Sequence, residues 1–110
     1  MQDFIEKFED YLRYEKKSSN NTLESYLRDI GQFSSYCSSN GIVSLTQVNS
    51  VVIQRYYEYL TVMGRTASTI TRVAASLRCY FVFLIKEGHI SENPVTHVKP
   101  KKAEKSFLKY

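Results

Sequence analysis

Apolar side chains recur at intervals of three and four residues in four separate segments of the chain. This spacing is that of one face of an α-helix, and no segment of useful length shows the alternation of a β-strand. The pattern therefore predicts helices over residues 3–16, 20–39, 50–63 and 67–87. Because the connections between them are short, the four amphipathic helices are expected to pack as a compact all-α bundle.

The connections carry stop signals typical of helix ends. Asn40-Gly41, Gly64 and Gly88 follow the second, third and fourth predicted helices, and glycine readily adopts the backbone conformation that ends a helix. The segment 42–48 has apolar residues at wide spacing. We expect these side chains to tuck under the bundle between the second and third helices.

The chain has 110 residues, which suits one domain, and we assign that domain to residues 1–95. Pro94 cannot continue a helix, so residues 96–110 are predicted to form a basic, extended linker. This last part holds five lysines against one glutamate, and the whole net charge of +4 therefore resides there. Such a tail is attracted to a polyanion, which makes Lys99, Lys101 and Lys102 candidate DNA contacts.

The second and fourth helices begin alike. Ser19 and Thr66 stand at the expected cap positions, and each is followed three residues later by a threonine. A hydroxyl at the cap accepts a hydrogen bond from an unpaired amide of the first turn, which stabilises a helix by about 1 kcal/mol. The same helix start offers backbone N–H groups and partial positive charge to a phosphate, so capping and anion binding are compatible.

The outward faces of these two helices are polar and contain few charge pairs. A helical projection places Asn21, Ser25, Arg28, Gln32 and Ser35 on one face of the second helix, and Arg65, Ser68, Thr69, Arg72, Ser76 and Lys86 on one face of the fourth. Solvated helix faces more often carry Glu and Lys at four-residue spacing. Short polar side chains with guanidinium groups can bind phosphates and base edges in the major groove. If only these residues are considered, an ordinary solvated surface is the alternative to a DNA-binding one.

Four motifs follow one another along the chain. They are Ser19-x-x-Thr22-Leu23-x-x-Tyr26-x-x-Asp29-Ile30-x-x-Phe33, Gly64-x-Thr66-x-x-Thr69-Ile70-x-Arg72, Leu77-Arg78-x-Tyr80-Phe81-x-Phe83-Leu84 and Gly88-x-Ile90-x-x-Asn93-Pro94. In this order and spacing they resemble the N-terminal core-binding domain of tyrosine recombinases, the phage-integrase and Xer-like superfamily. Residues 99–102 and 107–110 resemble the linker that leads to the catalytic domain in that family.

The resemblance implies a SAM-like helical domain that holds one face of a DNA half-site while a C-terminal catalytic domain holds the other. It also implies further recombinase protomers as partners, in a tetramer on double-stranded DNA. In the family, the helices that correspond to the second and fourth enter the major groove. By position, the expected contacts are Asn20, Asn21, Thr22, Ser25, Arg28, Arg65, Ser68, Thr69, Arg72 and Ser76. Arg78 matches a family arginine but lies off the stripe, where it either braces the bundle or reaches a phosphate from the side.

Catalysis, cofactors and metals are not expected of this chain alone. The family's tyrosine nucleophile and its arginine, histidine and lysine partners belong to the C-terminal domain, and Tyr110 has no such constellation beside it in the sequence. His89 and His97 have no cysteine or carboxylate at ligand spacing. The sequence shows no signal peptide and no apolar run of membrane length, so we expect a cytoplasmic protein without membrane contact.

Two other functions fit parts of the pattern. A helical protein–protein interaction domain of a regulatory protein is the main alternative, and the basic stripe would then be incidental. A helix-turn-helix regulator also binds DNA, but it needs a short recognition helix after a tight turn, whereas the two candidate helices are long and far apart in sequence. Phe83 projects toward the polar side of the fourth helix, and we expect it to meet another domain or protomer.

Overall fold

The computed structural model describes the backbone of residues 2–96 and residue 98, and this part of the chain contains helices and no strands. The four helices are α1 (Gln2–Asp10), α2 (Asn20–Ser39), α3 (Ser50–Val62) and α4 (Ala67–Lys86). Their side chains share one hydrophobic core. The predicted all-α bundle of four amphipathic helices is therefore confirmed.

The first predicted helix does not stay α-helical to residue 16. Its last part, Tyr11–Glu15, is a π-helical turn, in which the Lys16 N–H donates to the Tyr11 carbonyl at 3.0 Å, across five residues. Leu12 remains fully buried within this wider turn. Lys17 then has a φ of 52°, a left-handed conformation that stops the helical segment next to its predicted end at residue 16.

The connection between α2 and α3 is stabilised by hydrogen bonds between its own side chains and backbone. Gln47 Oε1 accepts hydrogen bonds from the amides of Val43 and Ser44, at 2.9 and 3.0 Å. These bonds support a single 3-10 turn that buries Leu45 in the core. The prediction that this segment tucks under the bundle is confirmed.

An aromatic cluster joins α1 to α4. The ring of Phe8 is fully buried, meets Tyr80 edge to face at a centroid distance of 5.1 Å, and lies 5.5 Å from Phe83. Phe83 also contacts Tyr11 at 5.0 Å and is only 2% exposed. The expectation that Phe83 meets another domain or protomer is wrong, because α1 and its π-helical turn cover that side of α4.

The residues after α4 return to the bundle. The Asn93 side chain donates to the Arg78 carbonyl at 3.4 Å and accepts from the Val95 N–H at 3.0 Å. Val95 is buried, and Val98 is half-buried against the core. The domain boundary at residue 95 stays a prediction, and Val98 extends the contact with the core beyond it. His97, Lys99, Lys101, Lys102 and Tyr110 lie outside the described residues.

Within the described residues, α4 alone is long and apolar enough, by length and composition, to cross a membrane. Half of that segment is buried inside the bundle, however. Leu77 and Leu84, for example, are fully enclosed by the other helices. The apolar character of α4 is thus accounted for by its place in the core.

The aromatic cluster generates the first testable prediction. Replacing Phe8 with Ala should lower the free energy of unfolding by about 3 to 5 kcal/mol, because it removes a fully buried ring and leaves a cavity between α1 and α4. The matched control is Val82→Ala on α4, where the side chain is 48% exposed and the change should stay within about 0.5 kcal/mol. Urea unfolding followed by circular dichroism measures both, and equal losses would contradict the packing described.

Candidate nucleic-acid interface

The starts of α2 and α4 have the same hydrogen-bonded geometry. Ser19 Oγ accepts from the Thr22 N–H at 3.2 Å, and Thr66 Oγ1 accepts from the Thr69 N–H at 3.1 Å. Each cap hydroxyl also donates to the hydroxyl of that threonine, at 3.0 Å in both helices. The predicted caps are confirmed, and each threonine hydroxyl keeps its own proton for an acceptor outside the helix.

Both helix starts are suited to an anion. An α-helix leaves the amides of its first turn without intrahelical partners, and the cap satisfies only one of them. Neither first turn contains an acidic residue, so the positive end of each helix dipole is not neutralised by its own side chains. A phosphate oxygen at either position would meet backbone N–H groups, a threonine hydroxyl and partial positive charge.

The polar face of α2 is open to solvent. Asn20, Asn21 and Thr22 are exposed in its first turn, and Arg28 is exposed two turns later. Ser25, between them, is half-buried. Arg28 forms no salt bridge within the described part of the chain, so its full positive charge is available to a ligand.

The polar face of α4 is only partly as predicted. Arg65 and Ser68 are exposed and Thr69 is half-buried, whereas the Arg72 side chain is 47% exposed. The predicted place of Ser76 on the outer face is wrong, because this side chain is 0% exposed. Ser76 lies one turn beyond Arg72, where α2 covers it. It is therefore excluded as a surface contact.

A buried carboxylate explains the position of Ser76. Asp29 of α2 is 1% exposed, and its Oδ2 accepts a hydrogen bond from Ser76 Oγ at 2.7 Å. Arg72 donates to the same carboxylate twice, from Nη2 to Oδ1 at 2.9 Å and from Nε to Oδ2 at 3.3 Å. The bidentate ion pair joins the polar faces of α2 and α4 directly.

The two polar faces also border one cleft. A cleft of about 350 Å³ opens between α2, the end of α3 and the start of α4. Its lining includes Gln32 and Ser35 from the polar face of α2, Arg65 from that of α4, and the aromatic rings of Tyr36 and Tyr59. The two polar faces therefore adjoin and are not turned away from each other.

The positive charges of α4 differ in their surroundings. Arg65 forms no salt bridge in the described region, whereas Arg72 is neutralised by Asp29. Lys86, at the far end of the helix, pairs with Glu15 at 3.1 Å, and this hydrogen bond raises the pKa of the lysine. Free positive charge on the two faces is thus concentrated at Arg28 and Arg65.

Arg78 lies to one side of these faces. Burial raises the pKa of the Tyr57 hydroxyl on α3 to about 12, and the nearby positive charge of Arg78 opposes that rise. The Arg78 side chain is exposed, and its carbonyl accepts the hydrogen bond from Asn93. Arg78 therefore lies near Tyr57 of α3, and the choice between bracing the bundle and reaching a phosphate stays a prediction.

The described cysteine, histidine and acidic side chains do not come together as a metal site. Burial raises the pKa of the Cys37 thiol to about 11 and also raises the pKa of Cys79, so both thiols stay protonated at neutral pH. Among residues 2–96 and 98, no three His, Cys, Asp or Glu side chains are grouped as metal ligands. The polar faces of α2 and α4 are built from hydroxyl, amide and guanidinium groups.

Sequence reasoning missed the role of Asp29. In the sequence it stands out only as one position of a motif, yet it is the group that ties α2 to α4. The available signal was an acid on the edge of the apolar face of α2 together with Arg72 and Ser76 at four-residue spacing in α4. Tyr36 and Tyr59 line the cleft with their ring centroids 5.0 Å apart.

The fold and the site together define a small helical domain of the SAM-like kind, with two capped helices that present adjoining polar faces. The phage integrase N-terminal SAM-like domain family matches residues 5–88. The chain belongs to this family. No solved structure matches it significantly.

Its curated relatives are tyrosine recombinases. A protein of Caldanaerobacter subterraneus subsp. tengcongensis named as a tyrosine recombinase is 32% identical over 92% of this chain and 34% of its own length. The tyrosine recombinase XerC of Azotobacter vinelandii is 27% identical over 96% of this chain and 35% of its own length, and XerD of Staphylococcus epidermidis is 27% identical over 97% and 36%. The chain thus spans about a third of the length of the curated relatives it matches.

The ion pair between α2 and α4 predicts an asymmetric response to mutation. Arg72→Met should lower the free energy of unfolding by about 3 kcal/mol, because it leaves the buried Asp29 carboxylate without its counter-charge. Asp29→Asn should cost less, about 1 kcal/mol, since the amide keeps some of the hydrogen bonds and the half-exposed Arg72 can turn to water. Urea unfolding compares the two variants, and a larger loss for Asp29→Asn would contradict the geometry described.

Proposed function

We propose that this chain is the DNA-binding module of a site-specific tyrosine recombinase or integrase, and that it holds one face of a recombination half-site. The observation that carries the proposal is the junction of the two polar faces at the Asp29–Arg72 pair, in a chain that belongs to the phage integrase SAM-like family. Two adjoining helix faces of this chemistry suit neighbouring phosphates and base edges of one major groove.

Each part of the surface has a distinct task in this proposal. The first turns of α2 and α4, with Asn20, Asn21 and Thr22 in one and Ser68 and Thr69 in the other, bind phosphates through amides and hydroxyls. Arg28 and Arg65 attract the DNA backbone as free charges. Ser25 and Arg72, on the junction side of the two faces, approach the bases.

The rest of the recombination reaction requires groups outside this domain. We assign the nucleophilic tyrosine and its arginine, histidine and lysine partners to a C-terminal catalytic domain, which the threefold greater length of the relatives can accommodate. The proposal includes assembly with other recombinase protomers on DNA, in the cytoplasm, with no cofactor. Lys99, Lys101 and Lys102 contribute charge from the connecting segment, without reading sequence.

One observation favours a second candidate, a protein-binding role. Tyr59, Val62 and Met63 form an exposed apolar patch on the last turns of α3, and Val62 is 85% exposed. Patches of this kind often serve protein contacts. Binding to another protein through this patch would depend weakly on salt, whereas binding to DNA through the polar faces would depend on it strongly.

The proposal predicts the salt dependence of binding to duplex DNA. The logarithm of the association constant should fall linearly with the logarithm of the KCl concentration, with a slope of about −0.9 for each phosphate contacted. Arg28→Ala and Arg65→Ala should each make the slope shallower by about one such unit. Fluorescence anisotropy of a labelled duplex measures these slopes.

The control for this experiment is Arg13→Ala. Arg13 is exposed, is paired with Glu9 within the first helical segment and belongs to neither polar face, so its loss should leave the slope unchanged. Equal effects of all three substitutions would indicate diffuse attraction without a defined surface. No binding to any duplex at low salt, in a folded chain, would overturn the proposed function.

A further inference from the structure

The Asp29 carboxylate is held more firmly than a simple surface ion pair. It is 1% exposed and accepts three hydrogen bonds, one from Ser76 and two from Arg72. The Ser76 bond comes from inside the bundle, at a side chain that is itself fully buried. Because α2 and α4 enclose the carboxylate, its two oxygens have one fixed position on the junction between the polar faces.

The fixed carboxylate in turn fixes the guanidinium of Arg72. Asp29 occupies the edge formed by Nε and Nη2, with donor–acceptor distances of 3.3 and 2.9 Å. A guanidinium group is planar and has five N–H donors, so Nη1 and the second hydrogen of Nη2 point away from the carboxylate. The Arg72 side chain is 47% exposed, and its remaining fork of donors is oriented before any ligand arrives.

The same contact cancels the charge of Arg72. A positive group that is neutralised by its own partner adds little to the general attraction of a phosphate backbone, which Arg28 and Arg65 supply without a partner. What remains is a pair of parallel N–H donors in a defined direction. In the major groove, the complementary pair of acceptors is N7 and O6 of guanine.

We propose that Asp29 is a specificity-determining positioning residue, which orients the Arg72 guanidinium to bind one guanine edge in the major groove. This inference rests on the proposed function. Asp29 itself does not touch DNA. Its negative charge would repel phosphates if exposed, and burial behind Arg72 removes that conflict while the orienting effect is kept.

The alternative is that the ion pair only holds α2 against α4. Both roles predict some loss of stability when the pair is changed, so stability does not separate them. The two roles predict different effects on the preference of the chain for particular DNA sequences. A positioning residue acts at one base pair, whereas a purely structural pair affects binding to all duplexes alike.

The test begins with a duplex selected from a random-sequence pool by the 110-residue chain, and with single-base-pair variants of it. Asp29→Asn and Arg72→Lys should each lower the preference for one and the same G·C pair about tenfold, since both abolish the oriented fork. Arg72→Lys retains the positive charge beside Asp29, and thermal unfolding checks that both variants fold. Asp29→Asn should also make the salt slope steeper, because it releases the charge of Arg72.

The matched controls are Glu9→Gln and Arg13→Lys, which alter an exposed carboxylate–guanidinium pair of the same chemistry that belongs to neither polar face. They should change neither the preferred sequence nor the salt slope. Unchanged base preference in folded Asp29→Asn or Arg72→Lys, with salt-dependent binding intact, would overturn the positioning role and leave the proposed function standing. If the chain selects no preferred sequence, the positioning role is also overturned. If it binds no duplex at all, both the positioning role and the proposed function are overturned.

Discussion

The ion pair between Asp29 and Arg72 fixes the two polar faces of the molecule relative to each other. Apolar contacts such as that between Phe33 and Phe81 hold α2 and α4 together, but apolar attraction has no preferred direction. Two hydrogen bonds between planar groups allow one arrangement only. Because the buried Asp29 charge is costly to remove from water, the pair contributes more to the definition of one geometry than to the free energy of folding.

Most of the fold was predictable because its signals are local. The helical spacing of apolar residues, together with the cap hydroxyls of Ser19 and Thr66, placed the starts of α2 and α4 at the residues that the structure shows. The family resemblance is confirmed by the match over residues 5–88. Such features depend on neighbours three or four residues away, which the sequence displays directly.

The two wrong predictions, for Ser76 and Phe83, concern the side of a helix that a neighbouring element covers. A projection of α4 places Ser76 and Phe83 relative to the axis of their own helix, but it does not contain α2 or the π-helical turn. In the structure, Asp29 covers Ser76 and Tyr11 covers Phe83. The same limitation hid the importance of Asp29, because a buried acid is recognisable only with its partner in view. Contacts between residues that are far apart in the sequence therefore determine which polar residues reach the surface.

We propose that α2 and α4 present one shared surface to duplex DNA. Titration of the isotope-labelled chain with the selected duplex, followed by heteronuclear NMR, measures this surface directly. The largest shifts are expected on the first turns of both helices and on the guanidinium signals of Arg28, Arg65 and Arg72. Shifts confined to one helix, or centred on Val62 and Met63 of α3, would contradict the shared surface.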